Sequence, residues 1–172
     1  MKRKWTYSFM VLAFIFGLSV DLQAQDEAPL TDEELKKYAM VMDFADQEKA
    51  KLKESYNAMI QEQELMTGGK RFKELKAAGG DEAKLSEIGA TPEEIEVFNT
   101  IEAANNENIA AFKEAYTTKI KDKEQLGAGL YNRISKALKT DTELKTRYTA
   151  IMEAIKSERA SAEESAESTE GQ

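Results

Sequence analysis

Eight residues at Thr31–Tyr38, TDEELKKY, come back in altered form as TPEEIEVF at Thr91–Phe98. The echo runs well past the motif. At an offset of sixty, residues 31–61 and 91–121 share eight identities in 31 positions: Thr31/Thr91, Glu33/Glu93, Glu34/Glu94, Ala50/Ala110, Lys53/Lys113, Glu54/Glu114, Tyr56/Tyr116 and Ile60/Ile120. Unrelated stretches of this length would share roughly two, so the pattern reads as an internal repeat. Leu35/Ile95, Tyr38/Phe98, Val41/Ile101 and Leu52/Phe112 are replaced like for like. After a one-residue deletion the match resumes at an offset of 59, with Arg71–Leu85 lying over Leu130–Leu144. Phe72 then meets Tyr131, Leu75 meets Ile134, Ala78 meets Ala137 and Leu85 meets Leu144. A short repeat cannot hide its apolar edge alone, so each copy needs the other copy or a neighbour to cover it.

Each copy opens with the same start signal. A Thr followed three residues later by Glu is a capping box, in which the hydroxyl takes a backbone N–H and the carboxylate returns the favour. Thr31 with Glu34, and Thr91 with Glu94, fit it. Pro92 sits at the first helical position, where its missing N–H costs nothing. Asp32, Glu33, Glu93 and Glu94 complement the positive end of the helix dipole, so these acidic pairs need no metal to explain them. Apolar residues then step by threes and fours, close to a coiled-coil heptad seam. The spacing predicts a long helix from Asp32 to about Met66, ended by Gly68-Gly69, and another from Pro92 to about Leu126, ended by Gly127. Short helices follow at Arg71–Ala78, Glu82–Ile88, Leu130–Lys139 and Thr142–Lys156. The expected repeat core is Leu35, Tyr38, Leu52, Tyr56, Phe72, Leu75 and Leu85 in the first copy. In the second it is Ile95, Phe98, Phe112, Tyr116, Tyr131, Ile134 and Leu144.

β-branched runs are absent while Ala, Glu, Lys and Leu dominate, which favours helix throughout. The expected fold is all-α: two repeats at 31–90 and 91–156, each a long helix plus short ones, packed as an antiparallel bundle. The seam can close within the chain or between chains, which leaves oligomerisation open. The Ser, Ala and Glu of 157–172 offer nothing to bury, and a disordered acidic tail is expected there.

Residues 1–24 read as a secretory signal peptide: Lys2, Arg3 and Lys4, an uncharged run from Trp5 to Val20, then small Ala24. The run is too short to span a bilayer as a helix, which needs about 20 residues. Residues 25–30 read as a flexible lead, and the mature chain as periplasmic or secreted, without stable membrane insertion. The whole sequence carries a net charge of −8, and removing the leader makes it more acidic. Such a chain is a poor nucleic-acid binder, because phosphates must be met by Lys and Arg. It contains no cysteine, so stability must come from packed apolar surface.

TDEELKKYA, RFKEL with DEAKL, ATPEEI and LYNRISKALKTDTELKTRY together resemble bacterial exported proteins of the family catalogued as domain of unknown function 4168. The most telling stretch is Tyr131–Tyr148, with Tyr131, Ile134, Asp141, Leu144, Arg147 and Tyr148 in the similar pattern. The first copy departs there, carrying Gly79-Gly80 where the second has Leu138-Lys139. The resemblance implies an all-helical exported protein and supplies no activity, ligand or catalytic residue.

With no His and no Cys, the Ser-His-Asp and Cys-His nucleophilic sites and the usual zinc sites are excluded. Asp122–Arg133 imitates a calcium loop but has Leu126 at the fifth position and Arg133 where a bidentate Glu is required. Met66–Arg71 contains a Gly-Lys pair without the rest of a phosphate loop. Carboxylate pairs such as Glu62/Glu64 and Glu93/Glu96 could serve a hydrolase, but nothing distinguishes them from a solvated acidic surface. No catalytic, cofactor or metal residue is assigned, and the protein partner is not identified. The leading expectation is a non-catalytic helical protein with an interaction or structural role in the cell envelope. The alternative is a periplasmic chaperone-like binder of unfolded clients, suggested by Leu30-Thr31-Asp32-Glu33-Glu34 and Ala90-Thr91-Pro92-Glu93-Glu94.

Overall fold

A computed structural model describes residues 28–170 of the chain, with side chains described through residue 162. The signal peptide expected at 1–24 and the first part of the lead at 25–30 lie outside the described residues. Among the described residues there are six α-helices and no strand: α1 Asp32–Gln61, α2 Lys70–Ala78, α3 Glu82–Glu87, α4 Pro92–Lys121, α5 Ala128–Thr140 and α6 Thr142–Glu170. A 3-10 segment, Glu64–Gly69, separates α1 from α2.

Both capping boxes form. The Glu34 N–H donates to Thr31 Oγ1 at 3.2 Å and the Thr31 N–H to Glu34 Oε2 at 2.9 Å. Thr91 and Glu94 repeat these two bonds at the same distances. Each box satisfies N–H groups that a helix start would otherwise leave without a partner. Asp141 caps α6 by accepting from the Leu144 N–H at 2.9 Å.

Both long helices stop about five residues before the expected end, for a common reason. Met66 and Leu126 must turn inward, and they are 0% and 4% exposed. After α1 the chain bends through left-handed residues, Thr67 at φ 46 and Gly68 at φ 59. After α4 the Asp122 carbonyl accepts from both Leu126 and Gly127, and Asp122 Oδ1 accepts from the Glu124 N–H. Gly127 then adopts φ 84, ψ 134, a region open essentially to glycine alone.

The C-terminal segment corrects an expectation. α6 does not end near Lys156; residues 157–170, expected disordered, continue the helix to Glu170. Ala and Glu are good helix formers without needing a buried face, and Arg159 is held by an ion pair to Asp43. Leu30, assigned to the flexible lead, packs half-buried on a core, and its carbonyl accepts from Arg147 Nη2 at 3.0 Å.

The chain divides into two compact units that do not follow sequence order. Unit 1 takes Ser55–Asn105: the end of α1, the 3-10 segment, α2, α3 and the start of α4. Unit 2 takes Pro29–Glu54 and the chain from Asn106 onward: most of α1, the end of α4, α5 and α6. Each unit therefore draws on residues from both 31–90 and 91–156. The core of unit 1 is Ile60, Met66, Phe72, Leu75 and Ile101. The core of unit 2 is Leu35, Tyr38, Val41, Leu126, Ile134 and Leu144. Burying one such side chain contributes about 1.5–3 kcal/mol, so each cluster is a substantial source of stability.

Candidate functional site

In both units an aromatic group forms from three elements. In unit 1 Tyr56 of α1 packs edge-on against Phe72 of α2, ring centres 5.8 Å apart, and Phe72 meets Phe98 of α4 at 4.9 Å. In unit 2 the corresponding places are held by Tyr116 of α4, Tyr131 of α5 and Tyr38 of α1. The Tyr38 and Tyr131 rings lie 5.6 Å apart, and the Tyr116 and Tyr131 hydroxyls 3.3 Å apart. Buried aliphatic residues frame both groups at matching positions: Val41 and Ile101, Leu75 and Ile134, Met66 and Leu126.

The polar edges differ. In unit 1 the Tyr56 hydroxyl donates to Glu102 Oε1, and Lys76 Nζ donates to the Tyr56 oxygen at 2.7 Å and to Glu102 at 3.0 Å. Lys76 Nζ also lies 5.1 Å from the centre of the Tyr56 ring and 5.7 Å from that of Phe72, within cation–π range. Burial and the Glu102 carboxylate raise the Tyr56 phenol above its ordinary value, against the opposing pull of Lys76. Burial draws Lys76 down, but its bonds to Tyr56 and Glu102 outweigh this and hold the ammonium above its usual value.

Unit 2 has Met42 and Ser135 at the positions that correspond by offset to Glu102 and Lys76. Tyr116 points its hydroxyl at Met42 Sδ, 3.8 Å away, and the Tyr38 hydroxyl lies 3.1 Å from Ser135 Oγ. Tyr148 adds an edge-on contact to Tyr38 at 5.7 Å. Burial is the main reason these phenols resist ionisation: Tyr38 and Tyr116 are raised, and Tyr148 is pushed up to about 12. Nearby, Asp43 is 5% exposed and accepts from Arg159 Nη1 at 2.9 and 3.0 Å and from Gln47 Nε2 at 2.6 Å.

Arginines fasten the helix starts. Arg71 forms a two-pronged bond to Glu94, both at 2.7 Å, and donates to the Ile88 and Gly89 carbonyls at 3.0 Å. The guanidinium, then the Thr91 N–H, hold Glu94 below its usual carboxylate value. In unit 2 Arg133 lies 3.6 Å from Glu34, and Arg147 donates to Asp32 at 2.6 and 3.0 Å.

Of the fourteen expected core residues, Leu35, Tyr38, Phe72, Leu75, Ile134 and Leu144 are buried. Leu52, Tyr56, Leu85, Ile95, Phe98, Phe112, Tyr116 and Tyr131 are half-buried. Asp43 with Arg159, and Lys76 with Glu102, are pairings that sequence reasoning missed. Their partners lie 116 and 26 residues apart, and helical spacing carries no signal for them.

Thr142, Lys145, Thr146, Thr149, Ala150 and Glu153 line a shallow open depression of about 380 Å³. All six belong to α6. No cluster of three or more acidic residues is placed to hold a metal among the described residues. No described helix is long and apolar enough to cross a membrane. Compared with family models, curated proteins and solved structures, the chain matches none.

Proposed function

We propose that this chain is an exported, non-catalytic helical protein with an interaction or structural role in the bacterial cell envelope, built by duplication of one helical module. The likeness to the exported family of unknown function belongs to the same reading, as does the antiparallel course of the long helices. The observation that carries it is the matched pair of aromatic groups. Tyr56, Phe72 and Phe98 in one unit, and Tyr116, Tyr131 and Tyr38 in the other, occupy positions related by offsets of sixty and 59. Within the units, the α1–α4 pairings of Tyr56 with Glu102 and of Met42 with Tyr116 favour an antiparallel course. The role in interaction is supported by how the chemistry-bearing side chains are used. Glu34 and Glu94 serve as caps, Arg71 and Arg147 fasten helix starts, and the tyrosines pack.

Crosslinking in intact envelopes, followed by affinity recovery of the tagged chain, tests this. A discrete partner enriched over an unrelated exported control supports the proposal. Recovery no different from that control removes the interaction role.

A further inference from the structure

Matched positions in the two units carry different acceptors for the same phenol. At position 102 of unit 1 a carboxylate oxygen accepts the hydrogen bond of the Tyr56 hydroxyl. At position 42 of unit 2, sixty residues earlier, a thioether sulfur stands 3.8 Å from the Tyr116 hydroxyl. Sulfur in a thioether is a weak acceptor. Met and Glu side chains have the same length, and Met Sδ occupies the place of Glu Cδ. One oxygen added to that sulfur stands where a glutamate Oε stands. Unit 1 therefore displays the contact that oxidation would create in unit 2.

We propose that Met42 is a site of reversible oxidation by peroxides, and that its sulfoxide oxygen captures the Tyr116 hydroxyl as Glu102 captures that of Tyr56. The peroxide O–O bond breaks, one oxygen bonds to Sδ, the sulfur loses two electrons, and the peroxide leaves as water or an alcohol. The product is polar and is reduced back by methionine sulfoxide reductases. Met42 is half-buried, so peroxide can reach it, whereas Met66 is sealed at 0% exposed. Met40, two residues away on α1, is 56% exposed and belongs to neither core cluster. It reacts first, and without consequence for the tyrosines. Oxidation of Met42 rearranges them, because the Tyr116 hydroxyl also lies 3.3 Å from that of Tyr131, which packs on Tyr38. The inference rests on the matched-unit reading.

The test is a hydrogen peroxide titration of the full chain. Peptide mass analysis follows each methionine, and near-ultraviolet circular dichroism follows the tyrosines. Expected is a dichroism change that tracks Met42 sulfoxide rather than Met40 sulfoxide. It persists in Met40→Leu and is lost in Met42→Leu and in Tyr116→Phe. Unoxidised Met42→Gln, which places an oxygen at the same point, should reproduce the oxidised spectrum while retaining a cooperative melt. The proposal is overturned if Met42 stays reduced in the folded chain under peroxide that converts it in urea. It is equally overturned if Met42 sulfoxide forms and both its spectrum and that of Met42→Gln match the untreated protein. Neither outcome bears on the envelope role, which the crosslinking experiment decides separately.

Discussion

Where unit 1 sets Glu102 and Lys76 against Tyr56, unit 2 sets Met42 against Tyr116 and Ser135 against Tyr38. Beneath these edges the aliphatic frame is the same. Val41 and Ile101, Leu75 and Ile134, and Met66 and Leu126 are buried in their respective units. The difference teaches where a packed helical module tolerates change. Frame positions sit at native packing density, where even a methylene is felt. Edge positions keep partial contact with water, and there the Lys76–Glu102 pair of unit 1 stands where unit 2 has a hydroxyl and a thioether. Unit 2 carries an ion pair between Asp43 and Arg159, and the residue sixty positions after Asp43 is Ala103.

Substitutions in the frame should produce the largest effect and the most even one. Leu75→Ala and Ile134→Ala each remove a side chain at most 1% exposed. Each should cost about 2–5 kcal/mol in chemical denaturation. A negligible cost at one of the two would break the equivalence of the frames. Next comes Arg159→Met, which leaves the Asp43 carboxylate with Gln47 as its remaining hydrogen-bond donor. It should lose about 1–3 kcal/mol, as expected when a buried acceptor loses its partner. Full retention of stability would mean that the ion pair contributes nothing to unit 2.

Alkali should act mainly on unit 2. A phenol with a folded pKa above its unfolded value of about 10 contributes stability that is complete below that pH. The contribution disappears as pH rises through the folded value, about 12 for Tyr148. Tyr38, Tyr116 and Tyr148 are shifted this way in unit 2, against Tyr56 in unit 1. Tyrosinate absorbance against pH should show ionisation together with loss of helix, and Tyr148→Phe should move that midpoint upward. A midpoint unmoved by the change would detach Tyr148 from alkaline unfolding. The smallest effect belongs to the caps: Thr31→Ala and Thr91→Ala should each cost about 1 kcal/mol. Unequal losses in thermal melts would show that the two helix starts, which share the same pair of capping bonds, differ in what rests on them.

Much of this was legible in the sequence, because local signals wrote it. The capping boxes needed only Thr and Glu three apart, and all-helical character followed from composition. Leu35, Tyr38, Phe72, Leu75, Ile134 and Leu144 were found by their spacing. The ends of the long helices were not, because Met66 and Leu126 extend the apolar stripe while the backbone turns to bury them. Nor was the helical course of 157–170, since the absence of apolar residues was weighed above good helix propensity. The assembly of each unit from segments far apart in sequence is least legible. Tyr56 and Glu102, or Asp43 and Arg159, belong to different periodic stripes, and no stripe records which other one it meets.

A single sequence copy isolates that last point. Residues 29–90 contain α1, α2 and α3 but lack Phe98, Ile101 and Glu102, which complete the core of unit 1. Thermal melting followed by circular dichroism, with mass from light scattering, is the direct measurement. The account predicts that this fragment, as a monomer, melts without a cooperative transition. A monomeric fragment that unfolds cooperatively near the melting temperature of the whole chain would contradict it.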